Sequence, residues 1–172
     1  LTIINDILDI SKIEAGKLEL ETIAMSITDV VEGAAATLAT NASRKGLDLV
    51  TYIEPDVPPL VTGDPIRMRQ ILFNLIGNAI KFTSAGEVCV RVARTANGDA
   101  GKVSVRFQVI DQGIGIAEEA QAKLFQAFTQ AEKETTRKYG GTGLGLAICQ
   151  RLTAMMNGEI GVESSLGEGS VF

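Results

Sequence analysis

The chain has 172 residues, 45% of them hydrophobic, which is enough for one well-filled core and too few for two ordinary domains. Its formal net charge is −5 and its pI near 4.8, with lysine and arginine scattered rather than clustered, so no nucleic-acid surface is expected. The complete absence of histidine removes serine-protease-type triads, imidazole bases and imidazole metal ligands together.

Residues 1–15 (LTIINDILDISKIEA) place Leu1, Ile4 and Leu8 on one line and Ile3, Ile7 and Ile10 on the next, a wide apolar face at helical spacing. Such a face must bury itself against other helices, as the tail of a helical hairpin or bundle would, and Gly16-Lys17 ends it. Leu18 to Ile23 alternates apolar and acidic residues like an edge strand, and Ser26 or Thr28 can cap a helix running from about Asp29 to Lys45, with Gly46 as its stop. Asp48 to Ile53 reads as a strand, followed by a proline-punctuated loop and a short Leu60-Val61 strand. Asp64 as N-cap and Pro65 at the first helical position open a helix whose spacing runs from Ile66 to Phe82. Two strands, Glu87 to Thr95 and Lys102 to Ile110, flank a hairpin over residues 96–101. A short helix from Glu118 to Phe128 leads through a polar stretch to Tyr139-Gly140-Gly141-Thr142-Gly143-Leu144-Gly145-Leu146, which opens a helix ending near Met156 at Asn157-Gly158. A strand from Glu159 to Glu163, a turn over residues 165–169 and Val171-Phe172 complete the pattern. Cys89 and Cys149 lack metal or redox spacing and read as small buried hydrophobes in a reducing compartment. The sequence has no run of eighteen apolar residues and no basic-then-apolar start, so neither a membrane span nor a signal peptide is expected within it.

Three stretches carry chemistry. On the Ile66 to Phe82 helix, Met68, Ile71, Leu72, Leu75, Ala79 and Phe82 form a core stripe, while Arg67, Gln70, Asn74, Asn78 and Lys81 form a polar one. Two asparagines one turn apart offer amide oxygens to a hard cation and the following lysine an ammonium to a phosphate; the plain alternative is a solvated face. Asp111 ends an alternating strand where Gly113 and Gly115 allow a sharp turn, so its carboxylate either accepts from an adenine amine or caps the turn. The glycine run before Leu146 is either a phosphate cradle, with a helix N-terminus behind it, or a simple capping turn.

Together these residues carry a resemblance to sensor histidine kinases. Asn74 to Thr83 resembles the family's N box, Asp111-x-Gly113-x-Gly115 the G1 box, Phe125-x-x-Phe128 the F box and Gly141-Thr142-Gly143-Leu144-Gly145-Leu146 the G2 box, in the family's order. Gly167-Glu168-Gly169-Ser170 is similar to the following glycine turn, and Leu8 to Gly16 to the end of the dimerisation domain's second helix, often seen in hybrid kinases. The resemblance implies an α/β sandwich of the gyrase/histidine-kinase/MutL type, one mixed sheet backed by three helices, with residues 1–16 ending a dimerisation hairpin and residues 17–172 forming the catalytic domain. It implies ATP and Mg²⁺ as cofactors. Asn78 would ligate the metal with Asn74 assisting, Lys81 would reach the phosphates, Phe82 would border the nucleoside and Asp111 would read the adenine. Gly113, Gly115 and Ile116 would flank the base, and Gly141, Thr142, Gly143, Leu144, Gly145 and Leu146 would surround the phosphates. Residues 117–140 would form a lid in which Arg137 approaches the terminal phosphate, with Lys133 and Lys138 as competitors. Related ATPases of this fold carry a water-activating glutamate one turn before the metal asparagine; here that position is Asn74, so phosphoryl transfer to a histidine outside these residues is expected over hydrolysis. A slow ATP hydrolase and a non-catalytic nucleotide-sensing module are the alternatives. The implied partners are a phosphoacceptor hairpin and a response-regulator receiver domain, in a homodimeric, cytoplasmic parent whose membrane attachment is left open.

Overall fold

Asp64 starts the helix on which the molecule is assembled: its carboxylate accepts from the amides of Ile66 and Arg67 at 3.0 and 2.9 Å, and Pro65 supplies a helical φ without needing a partner for an N–H. The structure is a computed structural model that describes residues 2–95, 102–127 and 143–172. Its helices are α1 (Thr2–Glu14), α2 (Ile27–Arg44), α3 (Pro65–Phe82), α4 (Glu118–Gln121) and α5 (Gly145–Met155). The strands are β1 (Ile23–Ser26), β2 (Asp48–Ile53), β3 (Leu60–Gly63), β4 (Glu87–Thr95), β5 (Ser104–Asp111), β6 (Glu163–Ser165) and β7 (Gly169–Val171). Five of them form one mixed sheet in the order β2-β4-β5-β7-β6, parallel between β2 and β4 and antiparallel elsewhere; β1 and β3 pair separately.

α2, α3 and α5 cover one face of the sheet, giving the α/β sandwich with three backing helices. Val88, Val90, Val92 and Val109 alternate onto that face and are fully buried against Leu72, Ile76, Ile148 and Leu152. Each such side chain contributes roughly 1.5–3 kcal/mol by leaving water. Asp111 lies two residues beyond Val109 and opposite Val88, so the strand's own alternation turns its side chain to the helix-covered face.

The alternating patterns of β2 and β4 are observed over the residues expected, and α3 begins one residue earlier. Other boundaries shift. The first strand is Ile23–Ser26 rather than Leu18 to Ile23, because antiparallel pairing with Leu60–Gly63 fixes it while Leu18 enters the core singly. Asp111 is the last residue of β5, which starts at Ser104 rather than Lys102, and α4 is a single turn within the expected Glu118 to Phe128. The sixth strand is Glu163–Ser165, four residues later than Glu159, since its register is set by the turn to β7. On α3 the buried stripe includes Ile76 and Ile80, while Met68 and Phe82 are only partly covered. The hairpin at residues 96–101 lies outside the described residues. Cys149 is buried, with its Sγ 3.9 Å from the carbonyl oxygen of Ile71, and Cys89 is half-buried; neither is in a disulfide.

Candidate nucleotide site

The polar stripe of α3 divides into two halves. Arg67 and Gln70 are taken up by α1: Arg67 Nη1 donates to both oxygens of Asp9 at 3.3 Å, and Gln70 Nε2 donates to Asp9 Oδ2 at 2.7 Å. Asn74, Asn78 and Lys81 are half-buried further along. Asn74 Nδ2 donates to the carbonyl of Gly145 at 3.5 Å, which brings the stripe to the start of α5. Asn78 makes no side-chain hydrogen bond among the described residues. Desolvation pushes the Lys81 ammonium pKa down, and its Nζ lies 4.8 Å from the centre of the Phe82 ring. A plain solvated face is therefore not what α3 presents.

Asp111 is 6% exposed at the end of the buried valine row. Desolvation raises its pKa, and backbone hydrogen bonds from Gly113, at 2.8 Å to Oδ1, and from Ser170 act in the opposite direction. The carboxylate thus does bond within its turn, which holds it at the end of β5. Two glycines make this possible. Gly115 has φ +67° and Gly169 φ +95°, and a Cβ on either would collide with a main-chain carbonyl oxygen, that of Ser165 or of Asp111.

The turn after β5 is tied to the last hairpin by groups the sequence did not mark. Ile116 N donates to Ser164 Oγ at 2.8 Å, Ser164 Oγ bonds the carbonyl of Gly169 at 2.7 Å, and Gln121 Nε2 reaches the carbonyls of Ile116 and Ser164, both at 2.8 Å. Gln112 Oε1 accepts from Glu87 N at 3.2 Å. Thr83, just after α3, is fully buried, and its Oγ1 alone among the described buried side-chain polar atoms has no hydrogen-bond partner.

At the other wall, Gly143 has φ +69°, and among the described residues no side chain caps α5, whose first turn lies beside Asn74 where a helix N-terminus can meet an anion. Leu144 is 2% exposed and belongs to the core, so a contact from it to a ligand is limited to its backbone; Leu146 is half-buried. Gly141, Thr142, Phe128, Lys133, Arg137 and Lys138, with most of the expected lid, lie outside the described residues. A buried carboxylate acceptor, uncapped helix amides, an ammonium and two amide oxygens one turn apart are a donor set that fits a nucleoside triphosphate with a hard cation. Among the described residues no cluster of three or more Cys, Asp or Glu side chains offers a separate metal site.

Residues 63–172 match the family described as "Histidine kinase-, DNA gyrase B-, and HSP90-like ATPase". The chain belongs to this family. The whole chain is 47% identical over 172 residues to the signal transduction histidine-protein kinase BarA of Escherichia coli K12, covering 19% of that protein. It is also 47% identical over 173 residues to hybrid signal transduction histidine kinase L of Dictyostelium discoideum, covering 10% of it. Full-length ShkA, solved in complex with AMPPNP, superimposes with a TM-score of 0.85 at 37% identity, over 99% of this chain and 34% of that one. The chain therefore spans a fifth or less of the curated kinases it matches. Residues 63–172 have this ATPase family's α/β sandwich fold, and the relatives matched over the whole chain are named as histidine kinases. No helix among the described residues is long and apolar enough to cross a membrane.

Proposed function

We propose that this domain, within its parent protein, transfers the γ-phosphoryl group of magnesium-bound ATP to a histidine on a helical hairpin outside residues 1–172. The observation that carries the choice of histidine over water is that α3 contains no Asp or Glu anywhere along its length. The acid packed on its stripe, Asp9, is bound by Arg67 and Gln70. An amide at position 74 has no useful basicity, so no group on this wall deprotonates water. In the transfer, an imidazole nitrogen forms the P–N bond as the bond from γ-phosphorus to the bridging oxygen breaks, ADP leaves, and the imidazole proton is released.

Asn78 is assigned to Mg²⁺ with Asn74 supporting it, Lys81 to the phosphates and Phe82 to the nucleoside edge. Asp111 is assigned to the adenine amine, with Gly113, Gly115 and Ile116 shaping the base pocket. The backbones of Gly143, Leu144, Gly145 and Leu146 are assigned to the phosphates, together with Gly141 and Thr142, and Arg137, with Lys133 and Lys138 as competitors, is assigned to the terminal phosphate. A bound magnesium ion supplies charge neutralisation on the phosphates. The half-burial of Asn74, Asn78 and Lys81 and the uncapped start of α5 support this assignment. Residues 1–16 are read as the end of the dimerisation hairpin and residues 17–172 as the catalytic domain, in a cytoplasmic part of a homodimeric phosphorelay kinase that hands its phosphoryl group to a receiver domain.

The test is to incubate the chain with labelled ATP, Mg²⁺ and a separately supplied histidine-bearing hairpin. Acid-labile label on the hairpin, with only trace phosphate release in its absence, is the expected result. Robust hydrolysis by the chain alone would point to a hydrolase, and tight nucleotide binding with neither reaction to a nucleotide-sensing module.

A further inference from the structure

We infer that Lys45, at the far end of α2, is a positioning residue for the magnesium-nucleotide site. Its Nζ donates to the carbonyls of Ile80, Lys81 and Thr83 at 2.7, 2.8 and 2.9 Å. An ammonium has three N–H donors, and here all three are spent on one target, the C-terminal end of α3.

That end needs such a partner. The last four carbonyls of a helix have no intrahelical donor, and they carry the negative end of its dipole. In α3 the four belong to Ala79, Ile80, Lys81 and Phe82. Ala79 O accepts from Thr83 N at 3.0 Å, and Lys45 takes the next two. Phe82 O faces Gly113 so closely that a Cβ there would lie 2.7 Å from it. The same turn therefore touches the loop that carries Asp111 and is held from behind by a cation anchored on α2.

The backbone of Lys45 is fixed in turn. Its N–H donates to Ala42 O at 2.9 Å, and Gly46, with φ +69°, ends α2 directly after it. The lysine thus connects a rigid helix end to the turn bearing Asn78, Lys81 and Phe82. On the reading proposed above, those are the side chains that meet the metal, the phosphates and the nucleoside. Lys45 touches none of them through its ammonium, since its bonds are to main-chain oxygens. Its effect on the ligand is through the angle and depth at which α3 presents Asn78.

Removing the ammonium while keeping the aliphatic stem, as in Lys45→Met, frees the last turn to fray. The ratio of affinities for a non-hydrolysable ATP analogue with and without Mg²⁺ is expected to shrink roughly 10-fold, as for loss of a group that orients a metal ligand. Amide exchange at residues 78–83 should quicken, and Lys45→Arg should recover part of both effects. Binding is measured well below the unfolding transition of each variant, with Lys102→Met as the exposed-lysine control. An unchanged Mg²⁺ ratio in Lys45→Met, with only its melting temperature lowered, overturns the inference and leaves the site assignment standing. A wild-type chain with no Mg²⁺-dependent increment overturns both.

Discussion

Gln70 Nε2 donates to Asp9 Oδ2 at 2.7 Å, joining α1 to the helix that bears Asn74 and Asn78 one and two turns further on. Arg67 closes the same cluster at 3.3 Å, and both its side chain and that of Asp9 are mostly covered. A double-mutant cycle on Asp9→Ala and Gln70→Ala, read by chemical denaturation, should give a coupling of about 1.5–3 kcal/mol, the net worth of a hydrogen bond to a charge. Additive effects would show that the Gln70–Asp9 bond contributes nothing measurable to holding α1.

Asp111→Asn is expected to separate stability from ligand binding. The folded-state pKa of Asp111 is raised, so its contribution to stability is fully present below the unfolded value and is lost as pH rises through the folded one. At neutral pH the charge is a burden, and the amide should leave the melting temperature of the ligand-free domain unchanged or higher. ATP affinity should nevertheless fall roughly 5- to 150-fold, the equivalent of one unpaired buried polar group at about 1–3 kcal/mol. In the wild type, ATP affinity should weaken on acidification as Asp111 takes up its proton, and Asp111→Asn should lose that pH dependence. The same pH dependence in the variant as in the wild type would remove Asp111 from the adenine site.

Asn78→Ala should abolish the Mg²⁺-dependent part of nucleotide binding, whereas Gln70→Ala should spare it. Gln70 is spent on Asp9, so its loss loosens α1 instead. Calorimetric titration with and without Mg²⁺ distinguishes them, and equal losses would argue against a ligand role for Asn78.

Gly169→Ala and Gly167→Ala both place a side chain at positive φ, +95° and +84°. At Gly167 nothing stands within reach of a Cβ, so the cost is backbone strain of about 1–2 kcal/mol. At Gly169 the Cβ meets the carbonyl of Asp111, and the total should be roughly 2–4 kcal/mol with weakened nucleotide binding. Thermal unfolding of the two variants side by side checks the ranking.

Thr83→Val should be neutral or stabilising, by up to about 1 kcal/mol, because it removes a buried hydroxyl that has no partner and keeps the branched shape. A clear loss of stability would mean that Thr83 Oγ1 has a partner in solution.

What the sequence disclosed, and what it hid, divides by the kind of atom involved. Asp64 and Pro65 announce the start of α3 because the cap and the helix it serves are neighbours in the chain. Alternation over Asp48–Ile53 and Glu87–Thr95 was legible because one face of each strand is buried. β1 and β6 were misplaced because their ends are set by distant partners, Leu60–Gly63 and Gly169–Val171. In the site, Asn74, Asn78 and Asp111 stood out as motif side chains, whereas Lys45, Ser164 and Gln121 did not. Lys45 donates to carbonyls 35 to 38 positions away, Ser164 accepts from an amide 48 positions away and Gln121 donates to carbonyls 5 and 43 positions away, and a main-chain partner leaves no mark in a sequence.

β7 enters the sheet between β5 and β6, with Phe172 and Val109 exchanging N–H to carbonyl bonds at 3.0 and 2.9 Å. A ribosome therefore delivers the carboxylate of Asp111 about sixty residues before the amide of Ser170 that helps hold it. During synthesis, α3 and the parallel β2 and β4 can dock early, while the turn that carries Asp111 waits for β7. Nucleotide stabilises only what it can bind, so truncation before Ser170, which removes the β7 amide from Asp111, should leave a chain that ATP protects less than it protects residues 1–172.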